Sequence, residues 1–181
     1  MAGVRCFVAV ELPPAMRDEI GRLQGCIATE GLRLVKPGLV HITLKFLGDV
    51  PEGKVARVGD ALAAVDATPF PVQVKGMGAF PGRSIRVVWL GLIGDFRELY
   101  GKVESALRPL GFAPEERGFS PHVTLGRVGR PNADTSERLR GRMGQLSETD
   151  LGGFTVDRFY LKKSTLTRGG PIYENLREFV L

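Results

Sequence analysis

Residues 39–48 read LVHITLKFLG, and residues 120–129 read SPHVTLGRVG. The two stretches share His-x-Thr-Leu at an offset of 122 − 41 = 81, and they hold both histidines of the 181-residue chain. Side chains alternate faces along a strand. His41 and Thr43 therefore point one way, while Ile42, Leu44 and Phe46 point into the core. The second copy repeats this, with His122 and Thr124 on one face and Val123 and Leu125 on the other. Each stretch presents an imidazole beside a hydroxyl on a rigid strand.

The repetition continues outward. An offset of 81 also pairs Gly48 with Gly129, Arg5 with Arg86, and Val58, Leu62 and Val65 with Leu139, Met143 and Leu146. An offset of 80 pairs Met16, Ile20, Leu23 and Ile27 with Phe96, Tyr100, Val103 and Leu107, all at the spacing of one helix face. Each half then reads strand, helix, motif strand, helix, strand. In the first half these elements are 4–11, 15–29, 39–47, 53–67 and 70–78; in the second they are 85–92, 96–110, 121–128, 134–147 and 154–161. A short strand at 32–35 and a closing strand at 172–181 complete the pattern. Asp95 and Asp134 read as helix N-caps and Gly111 as a C-cap. No linker rich in Pro, Gly or Ser divides the halves, so one domain over 1–181 is expected, built from repeats of about 1–81 and 82–181 that pack together. A symmetric scaffold needs only its apolar positions repeated; here His and Thr repeat most faithfully, which points to a paired site.

Composition narrows the class. The balance of 25 basic and 20 acidic residues gives +5 and a pI near 9.5, compatible with an anionic partner, and 18 of the basic residues are Arg. No basic tail forms a dedicated nucleic-acid arm. No apolar run is long enough to span a bilayer, and MAGVRCFVAVEL, broken by Arg5 and closed by Glu11 and Pro13, reads as a first strand rather than a signal peptide. Cys6 and Cys26 form neither a disulfide framework nor a CxxC pair, which makes a reduced cytoplasm the expected compartment. No zinc ligand set, P-loop or GxGxxG fingerprint is present, and Ser84, Ser120 and Ser164 lie in no nucleophile-elbow context.

What remains is a set suited to phosphorus. An unperturbed imidazole titrates near pH 6.5, so one ring can be neutral while another is protonated. The neutral ring takes a proton from water and the charged ring gives one to a leaving oxygen, each role worth roughly 10²–10⁴ in rate. Thr43 and Thr124 can donate to the non-bridging oxygens as phosphorus becomes five-coordinate. This chemistry calls for no cofactor, and no metal site is expected.

With those residues in view, the chain resembles the 2H phosphoesterases, and within them the RNA 2′,3′-cyclic phosphodiesterases historically called 2′-5′ RNA ligases. The resemblance rests on RCFVAVELP, VHITLKFLGDV, FSPHVTLGRV and STLTRGGPIYENL and extends over essentially the whole chain. It implies hydrolysis of an RNA 2′,3′-cyclic phosphate end to a 2′-phosphomonoester, with His41 as proton donor to the 3′-oxygen and His122 as proton acceptor from water. It also implies an ATP-independent reverse joining at a 5′-hydroxyl. The motifs themselves are near-equivalent and do not separate the two histidine roles. The expected architecture is an internally duplicated, bilobal α+β fold, with two mainly antiparallel sheets facing a central cleft and helices on the outer faces. The expected partner is RNA with 2′,3′-cyclic phosphate ends; no membrane association is expected, and the chain should be a monomer.

Lys45 shares the parity of His41 and Thr43 and on a regular strand would face the cleft as a phosphate-binding residue, or else lie solvated at the strand end. Arg127 has the wrong parity and reaches a phosphate only if the strand ends or bulges. Tyr173 could stack on a base or pack in the core, and Arg168, Gly169 and Gly170 form a loop beside the cleft or a plain surface turn. Two other functions stay open: a phosphodiesterase acting on small cyclic nucleotides or ADP-ribose cyclic phosphate, and a non-catalytic RNA- or nucleotide-binding module.

Overall fold

A computed structural model describes residues 3–80, 84–115 and 118–181. Strand β1 (Gly3–Glu11) leads into helix α1 (Pro14–Ile27), whose first turn holds Pro14, where a missing N–H leaves no bond unmade. Helix α1 buries Met16, Ile20, Leu23 and Ile27, the stripe read from the sequence. Next come β2 (Leu32–Leu34), β3 (His41–Pro51), α2 (Glu52–Ala63) and β4 (Phe70–Phe80). The second copy supplies β5 (Val87–Gly94), α3 (Arg97–Leu107), β6 (His122–Val128) and α4 (Ala133–Gly144). The strand expected at 154–161 is in fact two, β7 (Asp150–Val156) and β8 (Arg158–Thr167), and β9 (Gly170–Val180) closes the chain. The α4 cap is Asn132, which accepts from the Thr135 N–H at 2.8 Å, and Asp134 falls in the first turn. Asp95 lies just outside the α3 cap, accepting from the Arg97 N–H, and Gly111, at φ +82°, closes a 3₁₀ turn after α3.

The strands pair antiparallel in the order β7-β4-β5-β6-β3-β1-β8-β9, with β2 on β6. Two four-stranded arrays can be distinguished, and the junction between them is the single β3–β6 pair Ile42↔Val123. These residues are equivalent across the repeat (123 − 42 = 81), so a local twofold axis passes between them. The arrays are not sequential halves of the chain. The first repeat sends β4 to pair with β5, and the second returns β8 to pair with β1. The two repeats exchange their last strands, which accounts for the missing linker. Helices and motif strands bury their apolar faces in one core, where Ile42, Leu44, Val123 and Leu125 meet Ile20, Ile27, Leu99 and Leu107.

Both motif strands carry a bulge at the same point. Val8 pairs with Lys45 but Ala9 with Thr43, which leaves Leu44 as the extra residue of β3. Val88 pairs with Gly126 but Trp89 with Thr124, which leaves Leu125 as the extra residue of β6. A bulge breaks the two-residue alternation and re-aims every side chain beyond it. Each bulge is secured by a helix of the other repeat. Gln24 of α1, buried, donates to the carbonyls of Val35 at 2.6 Å and Leu125 at 2.9 Å. Its equivalent at an offset of 80, Glu104 of α3, accepts from Lys45 Nζ at 2.6 Å, and the same ammonium donates to the Ala113 carbonyl at 2.7 Å. Lys45 is 2% exposed, so desolvating its charge is tolerable only because both partners are in place.

Removing the carboxylate would leave that ammonium with one neutral acceptor. Glu104→Ala is expected to cost about 3–5 kcal/mol of stability, read as a lower urea midpoint at unchanged m value.

Candidate active site

The two motifs open on one cleft of about 480 Å³, lined among others by His41, Thr43, His122, Thr124, Arg5, Phe7, Phe46, Arg127, Leu166 and Tyr173. Counting outward from Ile42↔Val123, the antiparallel register sets His41 opposite Thr124 and Thr43 opposite His122. Each imidazole thus has one Thr hydroxyl two residues along its own strand and another across the junction.

Both rings are held in the same way. His41 Nδ1 lies 2.8 Å from the Leu39 carbonyl, and His122 Nδ1 lies 2.8 Å from the Ser120 carbonyl. A carbonyl only accepts, so Nδ1 carries the proton in each neutral ring and Nε2 is left as its acceptor. No hydrogen bond from the described residues occupies either Nε2. Aromatic neighbours fix the ring planes. His41 sits 4.9 Å from the Phe7 ring and edge-on to Tyr173 at 5.3 Å; His122 is edge-on to Phe80 at 5.4 Å. The Trp89 indole completes a triangle with the Phe80 and His122 rings, 5.0 Å from Phe80 and 6.4 Å from His122. It lies so close over Gly78 that a Cβ there would be 2.2 Å from it, so β4 needs glycine at this point.

The electrostatic surroundings are not symmetric. Burial pushes His41 down to about 4, with the positive charges of Lys162 and Arg127 acting in the same direction and the Leu39 hydrogen bond and Glu11 opposing. Behind that ring, partial burial would raise the Glu11 carboxyl, yet hydrogen bonds from Lys162, Arg17 and Asn175 hold it down at about 2. At the position equivalent to Glu11, offset by 80 and opposite His122, stands Gly91.

The bulges decide which other candidates reach the cleft. Lys45, expected to face it or to be solvated, is turned into the interior and ion-paired to Glu104; it does not contact the cleft. Phe46, expected in the core, is 60% exposed and lines the cleft. Its equivalent Arg127 is carried into the cleft by the matching bulge of β6. Tyr173 also lines it, half-buried against Phe7 and His41. Arg168, Gly169 and Gly170 line an adjoining hollow instead. Sequence reasoning passed over Arg5 and Phe7 as site residues and misplaced Phe46. A legible signal did exist: Leu44 and Leu47, like Leu125 and Val128, are buried residues three apart, which strict alternation forbids.

A duplicated α+β chain that brings one His-x-Thr pair from each repeat into a common cleft has the build of a two-histidine phosphoesterase. The family model for LigT like phosphoesterases matches twice, over residues 10–89 and 92–173, and the chain belongs to that family. A Methanothermobacter thermautotrophicus protein named RNA 2′,3′-cyclic phosphodiesterase is 38% identical over 98% of this chain and 99% of its own length. A protein of the same name from Archaeoglobus fulgidus is 38% identical over 97% and 99%. The crystal structure of E. coli LigT complexed with 3′-AMP superposes with a TM-score of 0.79 at 26% identity, covering 99% of this chain and 98% of that one.

His41 is expected to titrate near pH 4 in the ligand-free protein, observable as its imidazole resonances in a pH series. Because its folded value lies below the ordinary 6.5, the unfolded chain binds the proton first. The associated stability is complete above pH 6.5 and is lost as pH falls towards 4. His41→Gln should remove that part of the slope.

Proposed function

We propose that the chain hydrolyses the 2′,3′-cyclic phosphate end of RNA to a 2′-phosphomonoester, using the two histidines as acid and base. The observation that carries this reading is that both imidazoles, each with Nδ1 tied to a carbonyl, share one cleft with both Thr hydroxyls. The names of the full-length relatives support the substrate class. A water oxygen attacks phosphorus and passes its proton to Nε2 of His122. The bond from phosphorus to the 3′-oxygen breaks, and that oxygen takes a proton from Nε2 of His41. Thr43 and Thr124 donate to the non-bridging oxygens, whose charge grows in the transition state. Arg127 adds a fixed cation that screens the phosphate. A 5′-hydroxyl taking the place of water would form a 2′-5′ linkage, with the strained ring rather than ATP supplying the driving force.

His41 must be protonated to act as donor, although burial by itself favours the neutral ring near pH 7. A bound phosphodiester anion favours the imidazolium beside it and raises the value in the complex. The same depression favours a second reading, in which His41 is the acceptor and His122 the donor.

A nucleoside 2′-(4-nitrophenyl phosphate) separates the two, because nitrophenoxide leaves without a proton. His41→Ala should lose at least about 10²-fold on a cyclic phosphate end but stay within about tenfold of wild type on the aryl ester. His122→Ala should lose both activities. The opposite pattern exchanges the roles, and wild-type turnover by both variants ends the two-histidine mechanism. Activity on cyclic phosphate ends is also expected to persist in EDTA, whereas loss restored by a divalent ion would contradict the scheme.

A further inference from the structure

Two hollows adjoin the cleft beside His41, and they differ in charge. One holds Glu11, Arg17, Lys162 and Asn175, whose cations are already engaged by the Glu11 carboxylate. The other, about 550 Å³, carries Arg33, Lys36, Arg127 and Arg168, and among the described residues no acidic one lines it. None of those four cations makes an ion pair with a described residue. It runs continuously into the cleft, sharing Val35, Leu39, Arg127, Pro171 and Tyr173 with it. Arg33 is laid down along the end of β6. A Cβ on Gly129 would stand 2.7 Å from its Nη2, so the glycine leaves room for the guanidinium to rest there. Exposed apolar surface accompanies the charge, with Leu34 in the hollow and Leu166 where the cleft opens towards it.

We propose that this basic hollow is the binding track for the RNA strand on the 5′ side of the cyclic phosphate. The proposal rests on the function proposed above and extends it from the terminal nucleotide to the chain behind it. A cyclic mononucleotide offers one phosphate, which the cleft itself accommodates, and leaves Arg33, Lys36 and Arg168, which form no ion pair with a described residue, without a ligand group. A strand attached through the 5′-oxygen of the terminal nucleotide brings one phosphate per residue past Tyr173 and Arg127 towards Arg33, Lys36 and Arg168. Cations along a groove with apolar or aromatic surface between them are the features that hold single strands without reading sequence. The hairpin turn between β8 and β9 that carries Arg168 thereby gains a role as one wall of the track.

The test measures binding rather than turnover, so it stays separate from the proposed chemistry. Calorimetric titration would use oligoribonucleotides of one, two and four residues ending in a 2′-phosphate, against wild type and an Arg33→Ala/Lys36→Ala/Arg168→Ala variant. These three side chains are exposed, and a melting curve checks that the fold is kept. Wild type should bind the tetranucleotide about tenfold or more tighter than the mononucleotide. In the variant that gain disappears while mononucleotide affinity stays within about twofold. The slope of log K against log salt for the tetranucleotide falls by roughly 2, about 0.7 for each phosphate no longer neutralised. A length dependence unchanged in the variant overturns the proposal, as does equal weakening of all three oligonucleotides. So does a nucleoside triphosphate that loses as much affinity as the tetranucleotide, since the hollow would then be a polyphosphate site. An inactive wild-type protein that kept the length dependence would instead refute the chemistry and leave the track standing.

Discussion

The junction of β3 and β6 at Ile42 and Val123 constrains everything else in this molecule. Two equivalent residues paired antiparallel must straddle a twofold axis, and the residues on either side are His41, Thr43, His122 and Thr124. The site is thus generated by symmetry at the strand pair that joins the two arrays. Its rigidity comes from below, where Ile42, Leu44, Val123 and Leu125 are locked in the shared core. The exchange of β4 and β8 builds each array from strands of both repeats, so the chain also links the two arrays covalently, through α2 and through the β7–β8 connection.

Beyond the junction, the bulges at Leu44 and Leu125 convert strands with a short functional segment into the walls of a cleft. Each is fastened from beneath by a helix of the opposite repeat, through Gln24 in one case and Glu104 in the other. These residues are equivalent in position but not in chemistry. Gln24 satisfies the bulge carbonyl directly, whereas Glu104 neutralises a lysine that the bulge has turned inward. The same drift marks the site itself. Phe46 and Arg127 stand at equivalent positions, as do Glu11 and Gly91, so one imidazole faces an environment the other does not. Two copies of one motif become distinguishable, as the acid and base proposed above must be.

The duplicated motif, the helix stripes and the parity of His41, Thr43, His122 and Thr124 were all legible in the chain, because each depends on spacing alone. Three features were not. The exchange of strands cannot be read from periodicity, since a strand's pattern shows which face it buries and not which neighbour it joins. The bulges turn on a single residue, and without them Lys45 and Phe46 fall on the wrong faces. The break at Asp157 that makes β7 and β8 two strands sits inside a run that reads as one. Arg127 shows the value of the geometric condition attached to it: it needed a bulge to reach the cleft, and β6 has one.

A single phosphoryl group touching both imidazoles is the heart of this account. Protein labelled with ¹⁵N in its two histidines, titrated with a nucleoside 2′-phosphate, reports on it directly. Both Nε2 resonances should move together along one saturation curve that closes at one ligand per chain, while both Nδ1 protons keep their hydrogen-bonded shifts. A response from only one ring, or two rings saturating at different ligand concentrations, would contradict it.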